Sequence, residues 1–207
     1  DHGALRCHPQ LLAEMQAVQA RDAGAFGPAL LAHVGHVLGN LARSLGRAGV
    51  RGTPPADLRR EAALIARLSA QYALTADLAM GLLGGKLKRM ELLSARLGDV
   101  LSALYLAAAC LWRYEVEAEP RMRPIARAAI RLQLARAADI LRELYANLPS
   151  WPLRALAPVL LRGTRRLNPM RDRDLVALAE ALRTEPVLIE RLCPDVGTPR
   201  AGGVLDL

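Results

Sequence analysis

Residues 84–115 read GGKLKRMELLSARLGDVLSALYLAAACLWRYE, and the reading of this stretch decides the fold class. After a glycine pair and a basic cluster (Lys86, Lys88, Arg89), apolar residues recur at Leu93, Leu97, Val100, Leu104, Ala108 and Leu111. Steps of three and four keep such residues on one face of an α-helix, whereas a half-buried strand would alternate. The spacing predicts a helix from about Lys86 to Glu117. At roughly 1.5–3 kcal/mol for each large apolar side chain fully buried, this stripe is the largest single contribution to a core. Arg96 and Asp99 flank it. Three residues apart, they suit an ion pair on one helix, or pairs with neighbouring helices, and either role is structural.

Working outward, the 207-residue chain is 52% apolar with a mean hydropathy of +0.14, which excludes a disordered chain. Aromatic residues make up only 3%, so the core must be built from Leu, Ala, Val and Ile. Long β-branched runs are absent. The expected class is all-α: an antiparallel bundle of about four long helices followed by short C-terminal ones. Residues 1–166 are assigned to the bundle, and 167–207 to short helices and a mobile tail.

Local punctuation sets the expected boundaries. A first helix spans Pro9 to Ala20, with Pro9 suited to an opening turn. Gly24 and Gly27 interrupt it, Pro28 opens a second helix to about Leu45, and Gly46 and Gly49 close that one. Gly35 and Gly39, four apart, suit the close approach of a neighbouring backbone. After a Gly/Pro loop at 50–56, Asp57 is placed as the cap of a third helix ending near Leu83, with Ile65, Leu68, Tyr72, Ala76 and Ala79 inward. Asp77 is the only charge between Tyr72 and Gly85, and a buried carboxylate there calls for a partner, best an arginine of another helix; a catalytic role is the lesser alternative. Pro120 and Pro124 mark a turn before a helix to about Asn147, with Ile130, Leu134, Ala137, Leu141, Leu144 and Leu148 buried and Arg127, Arg131 and Arg142 on its solvated side. Beyond Pro149 follow an apolar helix from Trp151 to Leu161 broken by Pro152 and Pro158, an amphipathic one from Asp172 to Arg183, a turn at Val187–Cys193, and a mobile end from Pro194.

The formal charge of +8 and a pI near 10.2 invite a nucleic-acid or anionic-membrane reading. The arginines are scattered, however, and Lys86 and Lys88 are the only lysines. A solvated basic surface is the better reading, and nucleic acid is not an expected partner. Cys7, Cys110 and Cys193 show no metal or redox spacing, and Cys110 suits a small buried hydrophobe in a reducing cytoplasm. His33 and His36 form HxxH without a third ligand, so helix packing is favoured over metal. There is no phosphate loop and no nucleophile elbow. No basic region precedes an apolar core at the N-terminus, so no secretory leader is expected, and the uncharged run Ala23–Ala42 holds too many Gly, His and Asn residues for a lipid-facing helix. A chain starting at Asp1 rather than Met suits a piece of something longer. No catalytic, cofactor-binding or metal residue is assigned.

Several ordered blocks carry a family likeness: Gly84 to Arg89, then Ser94-Ala95-Arg96-Leu97-Gly98-Asp99-Val100-Leu101-Ser102, then Leu104-Tyr105-Leu106-Ala107, then Arg113-Tyr114-Glu115. With Cys7-His8-Pro9 and Glu14, Ala32-His33-Val34-Gly35, Leu68-Ser69-Ala70 with Asp77, and Leu141 through Pro149, the chain resembles the additional C-terminal helical region of bacterial FadE-type acyl-CoA dehydrogenases. The likeness covers about Arg6 to Arg166; the sequence then departs, reaching Leu178-Ala179-Glu180-Ala181-Leu182 sooner than the family does. The resemblance implies an enzyme of fatty-acid β-oxidation in which FAD and the carboxylate base belong to a catalytic core preceding this region. It also implies that this chain alone binds no FAD and is inactive. A dimerisation or membrane-positioning role, in the cytoplasm or at the periphery of the inner membrane, goes with it. The alternative from another class is a free-standing basic helical module that binds anionic membrane or nucleic acid through Lys86, Lys88 and Arg89.

Overall fold

The computed structural model describes residues 9–47, 52–164, 167–168 and 170–193, which form helices and turns and no strand. In chain order these are α1 (Pro9–Ala20), α2 (Ala23–Ala42), α3 (Arg59–Leu83), α4 (Glu91–Glu117), α5 (Arg123–Asn147), α6 (Trp151–Leu160), α7 (Asp172–Thr184) and α8 (Pro186–Leu192). The all-α bundle expected from the sequence is what forms. The segment from Pro194, expected to be mobile, lies outside the described residues, as does Cys7.

The most extensive packing joins α4 to α5. On α4 the inward residues are Leu93, Leu97, Val100, Leu104, Ala107, Leu111 and Tyr114. Their steps alternate four and three without exception, a period of 3.5. On α5, Ile130, Leu134, Ala137, Leu141 and Leu144, with Leu148 just beyond, keep the same alternation and are at most 1% exposed. Two helices with matched 3.5-residue stripes, joined by the short segment 118–122, pack as a left-handed antiparallel pair. One expected inward residue is corrected. Ala108 is exposed, and Ala107 and Tyr114 take its place, because the stripe holds the heptad period rather than drifting around the helix.

Helix α3 packs against α2, α4 and α5. With neighbours on several sides, it has no single stripe. Leu68 and Ala79 are buried as expected, Ile65, Tyr72 and Ala76 are only partly covered, and Ala62, Ala70, Leu74 and Leu83 join the core. The polar residues Glu61, Gln71, Thr75 and Asp77 are buried on it as well.

Several boundaries differ from the expected ones, each for a local reason. Helix α2 starts at Ala23, and Gly24, Gly27 and Pro28 lie inside it, because the Asp22 carboxylate accepts the Ala25 N–H at 3.0 Å and caps the helix early. Pro28 then forfeits only the bond to Gly24 near the helix start. No neighbour approaches the space beside Gly35, and at Gly39 only the Arg43 guanidinium comes near, so the expected close backbone approach does not occur. Helix α6 is continuous through Pro158, with Pro152 in its first turn. At Gly46 and Gly163 both the backbone and the surrounding space call for glycine. Both have positive φ (109° and 82°), and the Arg67 guanidinium of α3 fills the space a side chain would occupy at either one. One arginine thus packs the turn after α2 against the turn after α6.

Candidate functional site

At the end of the bundle where α3 and α5 begin, a polar cluster lies partly under the surface. Glu61, in the first turn of α3, is 1% exposed. Its Oε1 accepts from Arg131 Nε at 3.0 Å, and Arg127 Nε lies 3.3 Å from the same oxygen. Arg127 also donates from Nη2 to the Asp57 carbonyl at 2.8 Å. The Tyr114 hydroxyl of α4 donates to Asp57 Oδ2 at 2.6 Å. Three long helices and the turn before α3 are therefore tied together by charge-assisted hydrogen bonds.

Two expectations are corrected here. Arg127 and Arg131 do not lie on a purely solvated side: their apolar stems run across the helix surface, which lets the heads reach the buried Glu61. Arg142, by contrast, pairs with Asp139 on the outside of α5, as expected. Asp57 does not cap α3. It sits within a 3-10 turn (Ala56–Leu58), and its carboxylate is engaged by Tyr114 instead.

Burial raises the pKa of the Tyr114 hydroxyl, and the hydrogen bond to Asp57 and the Asp57 charge raise it further, against opposing contributions from Arg123 and Arg127. Burial likewise raises Tyr72 and Tyr145. A folded-state pKa above the unfolded value of about 10 means stability that is complete below that pH and lost as pH rises through the folded values. Chemical denaturation followed from pH 8 upward is expected to show a steep loss above about pH 10. Tyr114→Phe should lessen that slope while lowering stability at neutral pH; an unchanged slope would sink the assignment.

A second polar cluster fixes α6. Gln71 of α3, 1% exposed, donates from Nε2 to the carbonyls of Leu160 (3.1 Å) and Arg162 (3.3 Å), and its Oε1 accepts from the Thr164 hydroxyl. One turn on, the Thr75 hydroxyl donates to the Gln71 carbonyl at 2.6 Å and lies 3.0 Å from the Tyr145 hydroxyl of α5. These residues were not singled out from the sequence. Their only signal was a polar residue on an otherwise apolar helix, which also describes a surface position.

The residues that sequence did single out are dispersed. Arg96 Nε lies 3.7 Å from Glu143 Oε2 of α5, so it pairs between helices and not with Asp99, which is exposed. His33 Nδ1 is 2.8 Å from Glu14 Oε1, linking α2 to α1. Among the described residues no three His, Cys, Asp or Glu side chains gather for a metal. Asp77 is buried and borders, with His33, Val34, Val37, Leu78 and Leu153, an apolar groove of about 640 Å³ between α2, α3 and α6; no arginine lines it. Lys86, Lys88 and Arg89 sit on the exposed 3-10 turn after α3. Cys110 is half-buried on α4, where burial raises its thiol pKa against the pull of Arg113.

The outer face of α4 is apolar and uncovered. Leu101, Tyr105, Ala108 and Trp112 repeat the four-three alternation one residue on, about 100° around the helix from the core stripe, and all are exposed, Tyr105 at 72% and Trp112 at 65%. Val100 to Trp112 contains no charge. Helix α4 is long and apolar enough to cross a membrane by length and composition, yet its inner stripe is already packed on α5. A helix with two apolar stripes, one of them already packed, has a face left for a second partner.

The sequence profile of the family described as acyl-CoA dehydrogenase, C-terminal, bacterial type, matches residues 5–202. The matched span runs past Arg166, where the likeness read from the sequence ends, and takes in α7 and α8. No solved structure matches the chain.

Proposed function

The chain belongs to the family of bacterial-type acyl-CoA dehydrogenase C-terminal domains, and from that premise we propose that it is the helical module that packs on the catalytic core of such an enzyme in cis. The core supplies the FAD and the proton-abstracting carboxylate for fatty acyl-CoA oxidation, and the outer face of α4 is the surface that the core covers. The observation that carries this reading is the second heptad of α4, with Tyr105 and Trp112 uncovered.

The lining of the clefts supports a division of labour. A flavin needs a flat apolar slot continuous with donors for its pyrophosphate. Here the apolar groove beside Asp77 has no arginine, and the arginine-lined clefts beside Glu61 lie at the far end of α3. Among the described residues neither opening combines the two, so no step of flavin chemistry is placed on this chain. Its contribution is rigid docking, which fixes the core's geometry through protein contacts. A cytoplasmic homodimer that meets the inner membrane at its periphery completes the proposal.

The test uses the enzyme with its core attached. Trp112→Glu together with Tyr105→Glu should make this region sensitive to protease and lower acyl-CoA-dependent dye reduction, while an outward change on α5 such as Arg136→Glu should do neither. The isolated chain is expected to purify colourless and inactive. A yellow, dye-reducing isolated chain would overturn the division of labour, and an indifferent double variant would overturn the docking face.

A further inference from the structure

Three adjoining clefts surround the Glu61 cluster, and Arg131 lines all of them. One, of about 340 Å³, lies between the start of α3, the middle of α5 and the segment entering α7, with Arg60, Arg131, Arg171 and Asn168 among its lining. The next, of about 390 Å³, adds Arg123 and Arg127. Arg123, Arg127 and Arg131 stand at i, i+4 and i+8 on α5, an arrangement that costs a helix a few tenths of a kcal/mol for each like-charged pair.

Around these clefts six arginines, counting Arg59, face three carboxylates, Asp57, Glu61 and Asp174. The carboxylates do not cancel the excess. Glu61 is consumed in holding Arg127 and Arg131, and Asp57 is engaged by Tyr114. Arg60 and Arg171 make no ion pair with any described residue. Glu61 thereby holds two guanidinium groups in place in advance, and both keep about a third of their side-chain surface in water. Pre-set, planar, multidentate cationic donors in a concave setting are the chemistry that recognises phosphate oxygens.

We propose that the cleft bordered by Arg60, Arg131 and Arg171 binds a phosphate-class anion, carried either by a soluble phosphate ester or by a lipid headgroup. This site is independent of the α4 docking face and of the flavin chemistry assigned to the core.

The experiment uses the full chain, with inorganic pyrophosphate and vesicles of phosphatidate in phosphatidylcholine as probes. At low ionic strength pyrophosphate should raise the melting temperature saturably, beyond the effect of sodium chloride at equal ionic strength. Arg60→Gln with Arg171→Gln should weaken binding about tenfold or more, the equivalent of losing one charge-assisted hydrogen bond. Both residues are exposed, so circular dichroism and the ligand-free melting temperature should stay at the parent values. Arg89→Gln, on the turn after α3, should bind as the parent does. Pyrophosphate binding without vesicle binding identifies a soluble ester, and vesicle binding displaced by pyrophosphate identifies a headgroup; both support the site. No saturable binding of either probe, binding unchanged in the double variant, or binding of polynucleotide alone would overturn it.

Discussion

Glu61→Ala is expected to lower the stability of the domain by about 2–4 kcal/mol. The reason is asymmetry. Removing one partner of a buried ion pair leaves the other charged without its counter-ion, which typically costs about 3–5 kcal/mol when both are buried. Arg127 and Arg131 keep about a third of their side-chain surface in water, which moves the figure toward the lower end. Glu61→Gln retains the volume and one neutral acceptor, so it should fall between the parent and alanine. Urea denaturation of the three proteins checks the order. A loss below about 1 kcal/mol for alanine would show that water replaces the carboxylate, and the cluster would then not hold α3 to α5.

Gln71→Leu is the second large effect, expected at about 2–4 kcal/mol although the new side chain is apolar and of similar size. The carbonyls of Leu160 and Arg162 lose their donor, and the buried Thr164 hydroxyl is left with only the longer bond to the Leu161 carbonyl. Buried polar groups left unpaired cost about 1–3 kcal/mol each. The damage should be local before it is global. Amide hydrogen exchange is expected to speed up first in α6 and the turn after it, with α4 and α5 protected to higher denaturant. Uniform acceleration would mean that Gln71 serves the whole bundle and not this joint.

How much could be read in the sequence followed from what periodicity can encode. On α5 the stripe Ile130, Leu134, Ala137, Leu141, Leu144 and Leu148 was legible residue by residue, because its period is regular, whereas Ala135, Ala138 and Tyr145, buried beside it, were not. So was the span Pro9–Ala20 of α1. Helix α3 was legible only as a helix, since neighbours on several sides erase the contrast between faces. Asp22 outweighed the glycines and proline that follow it, because a cap satisfies free N–H groups at once while a proline near the helix start forfeits only one bond. The Glu61 cluster was hidden for a different reason. Arg127 and Arg131 occupy positions that look outward by period, and only the length of the arginine side chain and the path of α3 bring them inward. The family likeness was carried by α4, and the profile match bears it out, but neither α4 stripe contains the polar residues that shape the clefts.

A bundle built from leucine and alanine, with 3% aromatic residues, has a weakness that its stripes cannot cure. Matched heptads fit nearly as well after a slip of seven residues, about 10 Å along the axis, since one leucine layer is much like the next. Glu61, Gln71 and Thr75 each meet partners on another helix in this alignment: the α5 arginines, the carbonyls at the end of α6, and Tyr145. A slip would leave Glu61 and Gln71 buried without these partners and would part Thr75 from Tyr145. The polar residues along α3 therefore act as a vernier, selecting one alignment among several that the apolar contacts alone would accept.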